Sequence, residues 1–169
     1  PEGVPTPESL PDLEIHLDEL DATTRLRWDN RPFEFRHVTS PIYKTVEGER
    51  VPSQMVWMRA RRRLPDDPQL HRAALAYASD STIQESILRA HGLAWVTDGR
   101  NAASLDPAMW WHRDWRVDEW MLYVQESGSA SGGRGLGTGR IYSRDGVLLA
   151  SVAQEAMTRV PAEILAQKS

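Results

Sequence analysis

The chain has no cysteine, which excludes disulfides and thiolate chemistry. Lysine is nearly missing as well: Lys44 and Lys168 stand alone, and every other basic side chain is arginine. Arginine is the better fork for phosphate and carboxylate groups, although most of these arginines read as solvated surface. Positive charge is not in excess, the formal net charge being −4, so no nucleic acid partner is expected. No apolar run approaches the ~18 residues of a membrane span, and the expectation is a soluble cytoplasmic protein with no membrane partner. The five histidines show no metal-ligand spacing, so no metal is expected. The 169 residues suit one domain with a tail, long enough to bury a real core.

Residues 1–11 hold Pro1, Pro5, Pro7 and Pro11 and little to bury. They read as a linker or extended tail, the sign of a C-terminal part of a longer polypeptide. Residues 12–160 read as the folded domain and 161–169 as a C-terminal tail. Residues 12–28 carry Leu13, Leu17 and Leu20 near helical spacing. Phe33 to Val38 and Gln54 to Arg62 alternate as strands. Pro65-Asp66-Asp67-Pro68 has the residues that start a helix. From Gln69 to Ala90 there is neither Gly nor Pro, which predicts one long central helix closed by His91-Gly92.

Four strand segments follow. One lies within Ala94 to Leu105, after Thr97-Asp98-Gly99, and Asp106-Pro107 is expected to end it. Glu119 to Ser131 and Gly135 to Ser143 flank the hairpin signal Gly132-Gly133, and Val147 to Val160 follows Asp145-Gly146. One long helix with a run of antiparallel strands is an α+β domain, the helix packed on one curved sheet.

Polar residues at core positions supply the functional clues. In the last strand Leu148, Ala150, Val152, Gln154 and Ala156 share a face, so Gln154 points where its apolar neighbours point. A buried amide needs partners, since an unsatisfied one costs ~1–3 kcal/mol; a core glutamine bonded to backbone is the structural alternative. Asp80 interrupts the apolar line of the helix, where a carboxylate is expensive unless paired. The alternative there is a kink that lets Asp80 reach solvent or cap a new turn. Ser104 closes a segment that reads as a buried strand. A Ser-His-Asp arrangement with His91 or His112 lacks a nucleophile elbow around Ser104. The run Gly132 to Gly139 has strands on both sides, not the strand-then-helix of a dinucleotide loop, and suits close backbone approach within a sheet. Trp110, Trp111, Trp115 and Trp120 read as core and interface anchors, with an acyl-binding wall as the alternative.

Leu75 to Asp80, Ser104-Leu105-Asp106 to Arg113, Asp118-Glu119-Trp120 to Tyr123, Ser127 to Ser131 with Arg134-Gly135, and Asp145-Gly146-Val147 through Gln154-Glu155 stand in order over most of the chain. Together they resemble the acyl-CoA thioesterase II family, hydrolases of medium- and long-chain acyl-CoA in fatty acid metabolism built from two hot dog domains. The match is to the C-terminal domain. The resemblance implies a hot dog fold, a long central helix wrapped by a curved antiparallel sheet. It implies a catalytic trio at Asp80, Ser104 and Gln154 that activates a water, with no cofactor. The partners it implies are the acyl-CoA substrate and a second hot dog domain, either a missing N-terminal half or an oligomer mate. The rival reading is a hot dog domain that binds acyl-CoA or serves assembly without turnover. A hot dog hydratase is a third, for which the helix has no Asp-His pair.

Overall fold

The computed structural model describes residues 3–11, 30–96 and 101–168; the expected helix at 12–28 and turn at 97–99 lie outside them. Six strands form one antiparallel sheet: β1 (Phe33–His37), β2 (Ser53–Ala60), β3 (Asn101–Trp111), β4 (Met121–Ser131), β5 (Arg134–Ser143) and β6 (Leu148–Arg159), in the order β1-β2-β4-β5-β6-β3. The helical segments are α1 (Pro68–Ser79), α2 (Glu85–Ala90) and α3 (Ala162–Lys168), the last within the expected tail. The α+β expectation holds.

Alternation along the strands divides the core. Phe33, Phe35, Val56, Met58, Tyr123, Ile141, Ala150 and Val152 face the helical run and bury Leu75, Ala78 and Ile83. Trp57, Trp120 and Leu122 face the other way and are covered by Val4 and Leu10. Residues 3–11, with one 3-10 turn at Pro7–Ser9, are therefore docked on the sheet. The Trp57 indole donates to the Pro5 carbonyl at 2.9 Å, Arg36 donates to Pro7 O at 2.8 Å, and Arg144 grips Glu8. Gly132 and Gly133, both at positive φ, make the β4–β5 turn that the sequence signals.

Two expectations need correction. The central helix is not one piece: α1 starts as foreseen, with Asp67 capping Gln69 N and Pro68 in the first turn, but ends at Ser79, and residues 80–84 form a turn before α2. Asp, Ser and Thr occur together there, and their side chains compete with the helical backbone bonds. The strand through Ser104 does not stop at Asp106-Pro107. It crosses them with a register shift between Ser104 and Asp106, pairing Pro107 with Gln154. β3 is an edge strand, where a missing N–H is tolerated and a bulge is common.

Candidate active site

Glycines on β5 let the interrupted helix settle on the sheet. Gly135, Gly137 and Gly139 are buried, whereas Arg134, Leu136, Thr138 and Arg140 between them are exposed. A Cβ on Gly135 would stand 2.6 Å from Ile87 Cγ2, and one on Gly137 would stand 2.9 Å from Ile83 Cγ1 and 3.0 Å from the Ile83 carbonyl oxygen. The missing side chains thus admit the backbone of residues 80–84 itself, as the glycine run suggested. Thr82 is locked down by a 2.6 Å hydrogen bond from Gln125 Nε2. The break also turns Asp80 out of the apolar stripe: it caps α1 and is exposed. This is the kinked alternative raised by the sequence.

The three predicted side chains meet. Ser104 donates from Oγ to Asp80 Oδ1 at 2.5 Å, and Gln154 donates from Nε2 to the same oxygen at 2.7 Å. Asp80 comes from the turn after α1, Ser104 from β3 and Gln154 from β6, so three separate elements converge on one carboxylate oxygen. Asp80 Oδ2 receives no donor among the described residues. Gln154 is 1% exposed, which confirms the phase read from β6. Its partner is a carboxylate, not the backbone of the structural alternative. Ser104 differs from expectation: β3 is exposed along most of its length, and Ser104 with it. The apparent core character of that segment reflects an uncovered sheet edge.

A fourth polar residue, missed from the sequence, joins them. Gln84 donates from Nε2 to Ser104 Oγ at 3.1 Å. It falls on the helical line of apolar residues and so looked like part of a continuous stripe. The available signal was a second amide four positions beyond Asp80. The amide oxygens of both Gln84 and Gln154 are buried with no hydrogen-bond partner. Tyr123 brings a buried phenol, also unpartnered. Burial holds it well above the ordinary phenol value, and the negative charge of Asp80 adds to the shift.

A second carboxylate on this run has a different environment. Glu85 is buried; its Oε2 accepts from His37 Nε2 at 2.9 Å and from Gln54 at 2.7 Å, and its Oε1 accepts from the Trp95 indole at 3.0 Å. Burial raises this carboxyl, but the His37 ring and the Trp95 and Gln54 donors outweigh it and hold the group below the usual range.

The other sequence candidates separate. His112 pairs with Ser151 at 2.9 Å, not with Ser104. Trp120 is buried beneath Arg36 and Arg59, 5.4 and 4.4 Å from its ring centroid, which suits the anchor reading. Trp111 stacks on Trp115 at 5.6 Å, and Trp110 is 53% exposed on β3. Among the described residues no group of three or more His, Asp and Glu could hold a metal ion. No helix among them is long and apolar enough to cross a membrane.

Comparison with known proteins agrees with this architecture. The Acyl-CoA thioesterase family model matches residues 27–157. The chain is 35% identical to human acyl-coenzyme A thioesterase 8 over 178 aligned positions, covering 98% of this chain and 54% of the relative. The crystal structure of the acyl-CoA thioesterase II TesB2 from Mycobacterium marinum superposes with a TM-score of 0.67 at 38% identity, covering 94% of this chain and 55% of that one. A protein of hot dog fold from Alicyclobacillus acidocaldarius superposes with a TM-score of 0.65 at 17% identity, covering 94% of this chain and 54% of that one; it speaks for the fold alone. The chain spans about half the length of the relatives it matches. With the hot dog architecture, the family match and the relatives in agreement, the chain belongs to the acyl-CoA thioesterase family.

Proposed function

We propose that this chain hydrolyses medium- to long-chain fatty acyl-CoA thioesters with a water activated at Asp80. The observation that carries the reading is the pair of donors on Asp80 Oδ1, from Ser104 and Gln154, which orients the carboxylate and leaves Oδ2 open. A water bonded to Oδ2 has one proton directed at a base and a lone pair free for attack. Asp80 takes that proton as the water oxygen adds to the thioester carbonyl carbon. The tetrahedral intermediate collapses with cleavage of the carbon–sulfur bond, and the proton passes from Asp80 to the departing CoA thiolate. Free fatty acid and CoA result, and Asp80 is returned to its starting state.

The exposed edge favours a second element in the same reading, a partner hot dog domain. Eleven residues of β3 form one border of the sheet, with Leu105, Trp110 and Trp111 exposed on it, and Ser104 lies on that strand. An edge so long and apolar is a pairing surface unless something covers it. The occupant we assign is a second hot dog domain, from the same polypeptide or from another copy, which closes the site over Asp80. We also assign the protein to the cytoplasm, which fractionation of cells producing the full-length protein tests.

The test is release of CoA, followed with a thiol reagent, from a series of saturated acyl-CoAs, using this chain and the full-length protein in parallel with their Asp80→Asn variants. Turnover lost by at least ~10³-fold in Asp80→Asn with the fold intact supports the base assignment. Hydrolysis retained in that variant removes Asp80 from the mechanism. Binding of acyl-CoA without CoA release by both wild-type proteins establishes the binding or assembly domain in place of the enzyme.

A further inference from the structure

We propose that Gln84 is a positioning residue of the hydrolytic site: its amide fixes the direction of the Ser104 hydroxyl proton and thereby keeps Asp80 oriented for the water. The inference rests on the hydrolase reading above and extends it to a residue outside the trio.

A serine hydroxyl has one proton to give and two lone pairs to receive with. The 2.5 Å separation of Ser104 Oγ from Asp80 Oδ1 requires a proton between them, because two acceptors at that distance repel. Ser104 is therefore the donor to Asp80. It follows that Gln84 meets Ser104 with its NH2 group, as its 3.1 Å contact from Nε2 shows. The reversed amide would present a second acceptor, which would compete with Asp80 for the only proton. The orientation of Gln84 is thus imposed by the carboxylate contact and does not depend on how the amide is placed.

The surroundings hold the amide in that state. Gln84 is 5% exposed and immediately precedes Glu85, which is tied to β1, β2 and Trp95. With one lone pair of Ser104 filled by Gln84 and its proton committed to Asp80, a single lone pair faces the approaching water. Two amides then flank the Asp80–Ser104 pair. Gln154 gives its NH2 to the carboxylate and Gln84 gives its NH2 to the hydroxyl, and each leaves a buried oxygen without a protein donor. Exposed Ser104 sits on an edge strand where nothing else described on that side sets its rotor.

The test combines kinetics with a structural readout in the full-length protein. Gln84→Leu is expected to lower kcat by about tenfold with KM within about twofold, the pattern of lost orientation with binding retained. Gln84→Glu is expected to cost more, about a hundredfold, because its carboxylate draws the Ser104 proton away from Asp80. Adding Gln84→Leu to Ser104→Ala should produce no further loss beyond about twofold, since a residue acting through Ser104 has nothing left to act on. Wild-type kcat in Gln84→Leu, or losses that multiply in the double variant, overturns the proposal, because a general packing role adds independently of Ser104. The second readout needs no turnover: in a 15N-labelled sample, Ser104→Ala should displace the side-chain NH2 resonances of Gln84 and leave those of Gln125, bound to Thr82, in place. Unmoved Gln84 resonances overturn the proposal even if hydrolysis is intact. Displaced resonances in a protein that releases no CoA place the failure in the hydrolase reading.

Discussion

Asp80 and Glu85 are carboxylates on one helical run with opposite surroundings. Glu85 is enclosed, and both its oxygens accept hydrogen bonds, Oε2 from His37 and Gln54 and Oε1 from Trp95. Asp80 is exposed; one oxygen accepts from Ser104 and Gln154 and the other has no donor among the described residues. Charge alone does not separate the two, nor does sequence position. What separates them is the number of lone pairs left for a guest. A carboxylate engaged at both oxygens ties elements together, whereas one with a free oxygen beside an oxygen held by two donors is arranged to bind something further. Glu85 fastens the run to β1 and β2 so that Asp80, a turn away, can afford exposure.

The largest effects come from exchanging those fates. Asp80→Asn should remove turnover by at least ~10³-fold while the urea unfolding midpoint stays near wild type, because an exposed, half-bonded side chain contributes little to the fold. Glu85→Ala should do the reverse. It leaves His37, Gln54 and Trp95 without their shared acceptor in a buried pocket, at a cost of about 3–5 kcal/mol in urea titrations. An Asp80→Asn variant that unfolds as easily as Glu85→Ala would erase the distinction between the two carboxylates.

Gly137→Ala probes the spacing of the same run. The new methyl would meet both the Ile83 side chain and its backbone oxygen, so the turn must lift off β5. Overpacking of this kind costs about 1–3 kcal/mol. Turnover at a temperature where the variant is folded should fall by about tenfold or more, because displacing residues 80–84 misaligns Asp80 relative to Gln154. A variant with the expected loss of stability and unchanged turnover would show that the glycine row serves packing only.

Much of this arrangement was legible in the residues. The alternation Ala150, Val152, Gln154, Ala156 gave the phase of β6 because strand geometry leaves each side chain only two faces. Asp80 stood out because it broke an apolar line, and the spaced glycines of β5 announced a close approach. The break between α1 and α2 was hidden for a physical reason: no Gly or Pro marks it, and the termination comes from short polar side chains together with tertiary contacts such as Gln125 on Thr82. The same masking concealed Gln84, which shares a helical line with apolar neighbours until the turn redirects it. β3 was read too short because Asp106-Pro107 signals a stop only where a strand needs hydrogen bonds on both sides, and an edge strand does not. Family resemblance supplied the roles of the trio; the residues alone supplied positions.

The smallest effect concerns acid. The folded Glu85 carboxyl lies below the ordinary range, net of a burial penalty that works the other way. A group held lower in the folded than in the unfolded chain binds fewer protons when folded, so its stabilisation is complete above the unfolded value and fades as pH falls through the folded one. Asp118 behaves likewise: hydrogen bonding from Arg116, against partial burial and with help from the Leu64 N–H, brings it to about 2. Wild-type stability should therefore decline below the ordinary glutamate value of 4.5 through Glu85 and below the ordinary aspartate value of 3.8 through Asp118. Glu85→Gln isolates one of them. At neutral pH it should be less stable by about 1–3 kcal/mol, since one of its amide groups faces donors that a carboxylate would accept. That gap should narrow steadily as the pH falls, while the decline owed to Asp118 persists in the variant. A gap that stays constant from neutral pH to pH 3 would mean that Glu85 titrates at the same value folded and unfolded, and one that widens as the pH falls would mean that Glu85 is already protonated in the native protein, the closed carboxylate then being a hydrogen-bonded acid instead of a buried charge.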